Sequence, residues 1–305
     1  MQTNIKQGNK YNMNQRIGII GGSGLYDIEG MHILDELKLE TPWGKPSDAL
    51  ILARIGNHEV VFLPRHGRGH GIPPHQINYR ANIYAMKLAG VNQIISISAV
   101  GSLREAIAPG HFVVVDQFVD RTHGRHSTFF EGPLVAHVSM ADPVCATLRE
   151  RLLAACRTAD ITTHDGGSYL CMQGPQFSTR AESNLYRSWG MDVIGMTNFP
   201  EGKLAREAEI CYATVAMSTD YDCWHEEEAD VSVEGLLEIM HGNGLKAKAM
   251  LKALFAVSDT QLHACHAGCR HALDTAVVGD LSIYDDAEIR PVQAVVERLL
   301  SCSRA

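Results

Sequence analysis

The stretch Ile210-Cys211-Tyr212-Ala213-Thr214-Val215-Ala216-Met217-Ser218-Thr219 carries no charge and then breaks abruptly into Asp220-Tyr221-Asp222-Cys223-Trp224. An uncharged run of this length, bounded by a polar cluster, reads as a buried strand emptying into a loop, and in open α/β sheets ligands bind just beyond such strand ends. Two carboxylates then face a candidate cleft. Residues two apart in extended chain point the same way, so Asp220 and Asp222 are expected to meet one edge of a planar ligand rich in nitrogen donors and acceptors together. A purine edge fits that description. The competing reading, ordinary turn or helix-capping aspartates, is decided by the rest of the chain.

Upstream of this stretch, Ile17 to Ile20 is a short apolar strand opening into Gly21, Gly22, Ser23 and Gly24, and Val60 to Leu63 opens into Arg65, His66 and Gly67. Ile77, Ala81, Tyr84 and Leu88 recur at helical spacing until Gly90, and Ile94 to Val100 is the next strand. Phe112 to Val115 makes a further strand; Asp142 and Pro143 are expected to start a helix that buries Leu148, Leu152 and Ala155. Thr179 and Glu182 form a capping box for a helix that Gly190 closes. Asp192 to Met196 is a strand, and Asn198, Pro200 and Glu201 open the helix leading into the run at Ile210. Downstream, Ser232 is placed to cap a long helix with Val233, Leu236, Leu237 and Met240 on its inner side, and Ile289, Val292, Val295 and Leu299 mark a final amphipathic stretch. This alternation predicts an α/β fold: a tail over 1–16, then one domain over 17–305 with a helical extension from about 258.

The chain has 305 residues, 45% hydrophobic and 20% charged, enough to bury a full core. A formal net charge of -8 and a pI near 6.0 argue against nucleic-acid or anionic-membrane partners, which demand a positive field. No apolar run approaches the ~20 residues that span a bilayer, and Met1 to Arg16 has no apolar signal core, so a cytoplasmic protein is expected. Cys145, Cys156, Cys171, Cys211 and Cys223 are scattered through apolar segments, where a reduced thiol behaves as a small hydrophobe. A disulfide scaffold is not expected. His263, Cys265, His266, Cys269 and His271 are ligand types, but their spacing fits no common zinc pattern, so no metal is expected.

Five strand ends carry small hydroxyls, a cation or carboxylates: Ser23, Arg65 with His66, Ser98 with Ala99, Met196 with Thr197, and Asp220 with Asp222. A phosphate needs two-pronged donors, backbone N–H groups from a glycine turn and short hydroxyls, which Gly22, Ser23, Arg65, Ser98 and Thr197 can supply together. Taken singly, the double glycine reads equally as a tight turn and Arg65 as a paired arginine. A dinucleotide fingerprint is missing, because Gly22 and Gly24 are followed by Leu25, Tyr26 and Asp27 where a third glycine belongs.

Across Ile17 to about Val257 the chain resembles the trimeric purine nucleoside phosphorylase group. The likeness rests on Ile-Ile-Gly-Gly-Ser-Gly from Ile19, Thr-Pro-Trp-Gly-Lys-Pro-Ser from Thr41, Arg-His-Gly from Arg65, Asn-Tyr-Arg-Ala-Asn from Asn78, Gly-Pro-Gln-Phe-Ser-Thr-Arg-Ala-Glu from Gly174 and Asp-Tyr-Asp-Cys-Trp from Asp220. It is tightest to the members that act on a 5'-methylthio nucleoside. The resemblance implies a mixed, distorted central sheet flanked by helices, and a homotrimer, or a hexamer built from it, in which each site borrows a residue from its neighbour; His137 matches the borrowed position. It implies that Ser23, Arg65, His66, Ser98, Ala99 and Thr197 bind phosphate, that Met196 and Phe177 line ribose and base, and that Asp220 and Asp222 read the purine. It also makes one edge of the Val233, Leu236 and Met240 stripe the wall of the 5' pocket, tuned by Ser178.

Chemistry supports these roles. Breaking the bond between C1' and N9 leaves a cation-like sugar and a purine gathering negative charge. Phosphate beneath C1' stabilises the first and supplies the nucleophile; a protonated carboxyl at N7, for which Asp220 is the candidate, assists the second. Arg65 and His66 complete the expected catalytic set, with inorganic phosphate as co-substrate and no cofactor. An ionised or shared carboxylate at Asp220 also favours a 6-amino over a 6-oxo group, which would present two facing acceptors. Gly195 stands where animal-type members of that family carry an amide, which loosens a strict adenine preference, and a 6-oxopurine nucleoside or methylthioinosine is the alternative substrate. A non-catalytic nucleoside-binding protein and a nicotinamide-dependent enzyme are the remaining competitors.

Overall fold

Strand β5 (Val91–Ser102) is the axis of the sheet. The computed structural model describes residues 15–22, 28–225, 233–258 and 262–303. Along one edge of β5 runs β12 (Cys211–Asp220), parallel from Cys211 opposite Gln93 to Asp220 opposite Gly101. The other edge is shared. β1 (Arg16–Gly21) pairs parallel as far as Ile20 opposite Ser96, and β11 (Val193–Gly195) joins antiparallel only at Gly101 and Ser102. Between them, Ile97 to Val100 have no strand on that edge among the described residues, so the sheet splits.

Outward from β1 lie β4 (His58–Pro64), parallel, then β3 (Leu50–Ile55) and β2 (Met31–Leu37), both antiparallel to their neighbours. Outward from β11 lie β10 (Ser168–Met172) and β7 (Gln117–Arg121), both parallel. β6 (Phe112–Val114) flanks β12 and pairs with β9 (Thr163–Asp165). A separate two-stranded ladder joins β8 (Val135–Ala136) to β13 (Val277–Val278). β12 reads as a continuous apolar run because helices cover both of its faces and every residue but Asp220 is buried.

On one face, α2 (Ala146–Thr158) and α5 (Val233–Leu254) pack Leu148, Leu152, Met250 and Leu251 against Ile19, Phe62 and Val215. On the other, α1 (Tyr79–Leu88), α4 (Asn198–Glu207) and α6 (Gln293–Ser303) pack Ile83, Leu204 and Val295 against Ile20, Val61 and Ile94. Each such side chain contributes roughly 1.5–3 kcal/mol on leaving water. α3 (Arg180–Ser188) carries the expected capping box between Thr179 and Glu182.

Several boundaries are corrected. Arg16 belongs to β1 rather than to a tail: it is buried, donating to Glu59 at 2.8 Å and to the Ala89 carbonyl at 2.8 Å. α2 starts at Ala146 with Cys145 at its cap, not at Pro143. Leu88 is exposed instead of ending a core stripe. The C-terminal extension is not purely helical, since it contributes β13. The Ser232 cap lies outside the described residues.

Candidate active site

The split in the sheet opens into a cavity of about 350 Å³, lined among others by Arg65, His66, Ser98, Ala99, Met196, Thr197, Asp220 and Asp222. Four of the five strand ends singled out in the sequence therefore meet at one place, and the fifth, Ser23, lies outside the described residues. Arg65 touches β5 at Ile97 and Asp220 lies beside Gly101. Four residues of strand separate those points, about 13 Å, the scale of a nucleoside with a phosphate beneath its sugar.

At the first end, Arg65 is almost fully buried and its fork is engaged. Nε donates to Glu201 Oε2 at 2.7 Å, and Nη2 donates to Glu201 Oε1 at 3.1 Å and to Ser96 Oγ at 2.6 Å. Burial would depress the guanidinium, but the Glu201 carboxylate outweighs it and holds the pKa above its ordinary value. The expected two-pronged grip on phosphate is corrected accordingly: Glu201 takes the fork, and only Nη1, which reaches the Ile97 carbonyl at 3.3 Å, keeps a hydrogen for the cavity. Glu201 also accepts from Ser96 Oγ at 2.7 Å and Tyr212 OH at 3.0 Å, so the pair sits in a buried polar network that the sequence reading missed.

His66 is held neutral. Burial, then the neighbouring Arg65 charge, lower its pKa from 6.5 to about 4, against the opposing pull of the Ile72 carbonyl. That carbonyl lies 2.8 Å from Nδ1. A neutral ring beside a carbonyl must carry its hydrogen on that nitrogen, which leaves Nε2 as an acceptor. Ser98 Oγ and Thr197 Oγ1 converge at 3.4 Å, as two hydroxyls sharing one anion would. Thr197 caps α4, whose backbone departs from helical geometry at Phe199.

At the second end, β12 stops at Asp220 and the chain turns. Asp222 adopts a left-handed φ of 53° and its N–H donates to Asp220 Oδ1 at 2.7 Å. The two acids meet through this turn and not, as expected, by alternation in extended chain. Gly101 permits the approach, because a Cβ there would meet Asp220 Oδ1 at 3.0 Å and Asp222 Cβ at 3.3 Å. Burial raises the Asp220 pKa, opposed by Thr219 and the Asp222 amide. Thr219 Oγ1 lies 2.7 Å from Asp220 Oδ2 and 3.1 Å from the Val100 carbonyl, and its one hydrogen cannot serve both. Burial likewise raises Asp222, opposed by the Ser183 hydroxyl, and its Oδ2 is buried with no partner among the described residues. Asp222 lines the cavity, and a buried acceptor left there without a partner is a place for a ligand N–H.

The wall between the ends is apolar. Met172, Ile194, Met196, Met217 and Met240 line it, with Phe177 at the mouth, 56% exposed. Only Met196 and Met240 of the four methionines were legible as site residues. Val233 and Leu236 have side chains outside the described residues. Ser178 stands behind the wall, not in it, reaching Met172 Sδ at 3.8 Å and opposing the rise of Asp222. His137 is exposed next to β8 and does not line the cavity of its own chain. The missing side chain at Gly195 has a local cause: a Cβ there would fall 2.6 Å from Tyr169 Cζ, inside contact distance, so the buried Tyr169 fills that space.

A cavity at the split of a mixed sheet, with an arginine and two hydroxyls at one end and paired acids at the other, is the arrangement of a nucleoside phosphorylase. The family model of the Phosphorylase superfamily matches residues 16–256, and the chain belongs to that superfamily. It is similar to an S-methyl-5'-thioadenosine phosphorylase of Geobacter sulfurreducens, 54% identical over 265 residues that cover 86% of this chain and 93% of that one. A protein of the same name from Thermofilum pendens is 50% identical over 263 residues, covering 86% and 98%. Among solved structures, a methylthioadenosine phosphorylase sourced from an antarctic soil metagenomic library superposes with a TM-score of 0.88 at 43% identity, covering 93% of this chain and 99% of that one. The Schistosoma mansoni methylthioadenosine phosphorylase in complex with adenine gives 0.76 at 39% identity, covering 80% and 91%.

Proposed function

We propose that the protein cleaves the N-glycosidic bond of S-methyl-5'-thioadenosine with phosphate, giving adenine and 5-methylthioribose 1-phosphate. The observation that carries this reading is the single cavity with an acid favoured in its protonated form at one end and hydroxyls, Arg65 and a neutral His66 at the other. Phosphate sits against Ser98, Ala99 and Thr197, with Arg65 contributing its remaining Nη1 hydrogen; the Ser23 hydroxyl, which the resemblance adds to this set, lies outside the described residues. As the C1'–N9 bond lengthens, the phosphate anion offsets the positive charge on the sugar and then bonds to C1'. Asp220 gives its proton to N7 while Asp222 Oδ2 accepts from the 6-amino group. The methionine-rich wall takes the 5'-methylthio group, to which polarisable sulfur adapts better than to a hydroxyl.

No step in this chemistry calls for a cofactor or a catalytic metal. The same proposal makes it a homotrimer: the family resemblance assigns His137 to a neighbour's site, and an exposed His137 outside its own cavity supports that reading. Its products are those of purine and methionine salvage, a cytoplasmic process; among the described residues no helix is long and apolar enough to cross a membrane. The test is to incubate the protein with methylthioadenosine, adenosine and methylthioinosine, each with and without phosphate, and follow free base. Adenine from methylthioadenosine, released only with phosphate and fastest of the three, is expected. Release without phosphate, or a preference for methylthioinosine, refutes the reading.

A further inference from the structure

Far from the cavity, four cysteine thiols meet. Cys211 opens β12, nine residues or about 30 Å of strand from Asp220. Cys145 caps α2, its N–H donating to the Tyr212 carbonyl at 2.8 Å. Cys265 and Cys269 belong to the segment after α5, where Gly268, at φ 69°, turns the chain so that Cys269 points back to the core. All four sulfurs lie within 4.8 Å of one another, and Cys145 Sγ is 3.9 Å from Cys265 Sγ. The histidines of the local Cys/His run take no part: His263 faces Gln93, and His266 and His271 are exposed.

We propose that Cys145, Cys211, Cys265 and Cys269 form a structural zinc site that clamps the C-terminal segment to the phosphorylase core. A tetrahedron with Zn–S bonds of ~2.3 Å has edges of ~3.8 Å, close to the spacing found here, and four thiolates without an open position are the structural pattern. A disulfide needs sulfurs ~2.05 Å apart and joins only two. Thiolate softness selects zinc over magnesium or calcium. Four thiolates around a divalent ion leave two net negative charges, and the surroundings offset them. Arg151 faces Cys145, Cys211 and Cys265 while holding the Leu262 and Ala264 carbonyls at 2.5 and 2.7 Å. The Arg206 charge also acts on Cys269. The sequence could not show this site because only the C-x3-C pair is local, and its other half comes from two distant elements.

The clamp has a structural consequence. The held segment runs into β13, which pairs with β8, and the His137 N–H donates to the Ala276 carbonyl at 2.8 Å. The test measures zinc in the full-length protein, purified without chelator and under reductant, by elemental analysis. One zinc per chain is expected in the wild type and in Cys156→Ser, a buried thiol outside the cluster, and none in Cys265→Ser or Cys269→Ser. Should those variants fail to fold, wild type loaded with cobalt must show the thiolate-to-cobalt bands of a tetrahedral four-sulfur site, and chelation must raise hydrogen exchange over 262–278. Zinc below a tenth of an equivalent after incubation with zinc and reductant, retention of zinc by both variants, or a disulfide between any two of the four in unreduced peptides overturns the proposal.

Discussion

Replacing Asp220 by Asn tests the acid at the base end without dismantling it. In the structure Oδ1 accepts from the Asp222 N–H at 2.7 Å and Oδ2 lies 2.7 Å from Thr219 Oγ1. An amide fits both: its oxygen keeps the Asp222 contact, and its NH2 donates to Thr219, freeing that hydroxyl to donate to Val100. The fold therefore loses little, about 1 kcal/mol or less, and Tm stays within a few degrees. Catalysis does not survive so well. An amide offers a hydrogen bond to N7 but no transferable proton, so kcat for methylthioadenosine should fall by about 10² to 10⁴. Specificity should move as well, since the amide NH2 is a fixed donor at the base edge and suits a 6-oxo acceptor better than a 6-amino donor. One mismatched polar contact costs about 1–3 kcal/mol, or about 5- to 150-fold, so the kcat/KM ratio of methylthioadenosine to methylthioinosine should drop by at least fivefold. The assay is kcat/KM for both nucleosides at saturating phosphate, with Tm measured alongside. An unchanged ratio and kcat in a folded variant would refute both roles of Asp220.

Glu201→Gln strips the charge from a carboxylate that receives four hydrogen bonds from Arg65, Ser96 and Tyr212. Breaking a buried pair costs about 3–5 kcal/mol; thermal unfolding should shift by roughly 10 °C, and the phosphate KM should rise more than the nucleoside KM. His66 has a pKa lowered from 6.5 to about 4. Its neutral form is the one the fold prefers, so stability is fully present above pH 6.5 and is lost as pH falls through the window down to 4, by up to about 3 kcal/mol. Denaturant titrations across that range should show the loss, and His66→Gln should flatten it. Gly195→Ala drives a methyl into Tyr169 and should cost about 1–3 kcal/mol by overpacking, read by chemical denaturation; a neutral outcome would mean Tyr169 moves freely. Met240→Ser removes apolar contact from the 5' pocket and should lower the kcat/KM preference for methylthioadenosine over adenosine by about tenfold.

The run into Asp220 was legible because its chemistry changes within one residue, and the strand ends at 65, 98 and 197 because short polar groups follow apolar runs. What stayed hidden involves contacts across the chain. β2 is exposed from His32 to Glu36, Ile33 and Leu34 included, so it shows no alternation of buried and exposed residues, and β3 joins β4 through Gly56 and Asn57, with Gly56 at φ 56°, a hairpin signal that was present and unread. Glu201 sits one helical turn past Thr197 and reads as a first-turn acid; only the fold brings it against Arg65. Met172 and Met217 look like any core methionine until the split in the sheet exposes them. The approach of Asp222 to Asp220 depends on a left-handed residue that spacing alone does not announce.

The most direct measurement is stoichiometry. With limiting phosphate and excess methylthioadenosine, phosphorus NMR and chromatography should show one phosphate consumed and one sugar 1-phosphate formed for every adenine released, the reaction stopping when phosphate is exhausted. Adenine accumulating beyond the phosphate supplied, with free methylthioribose in place of its phosphate ester, would mean that water is the nucleophile and that the hydroxyls around Ser98 and Thr197 do not serve an oxyanion.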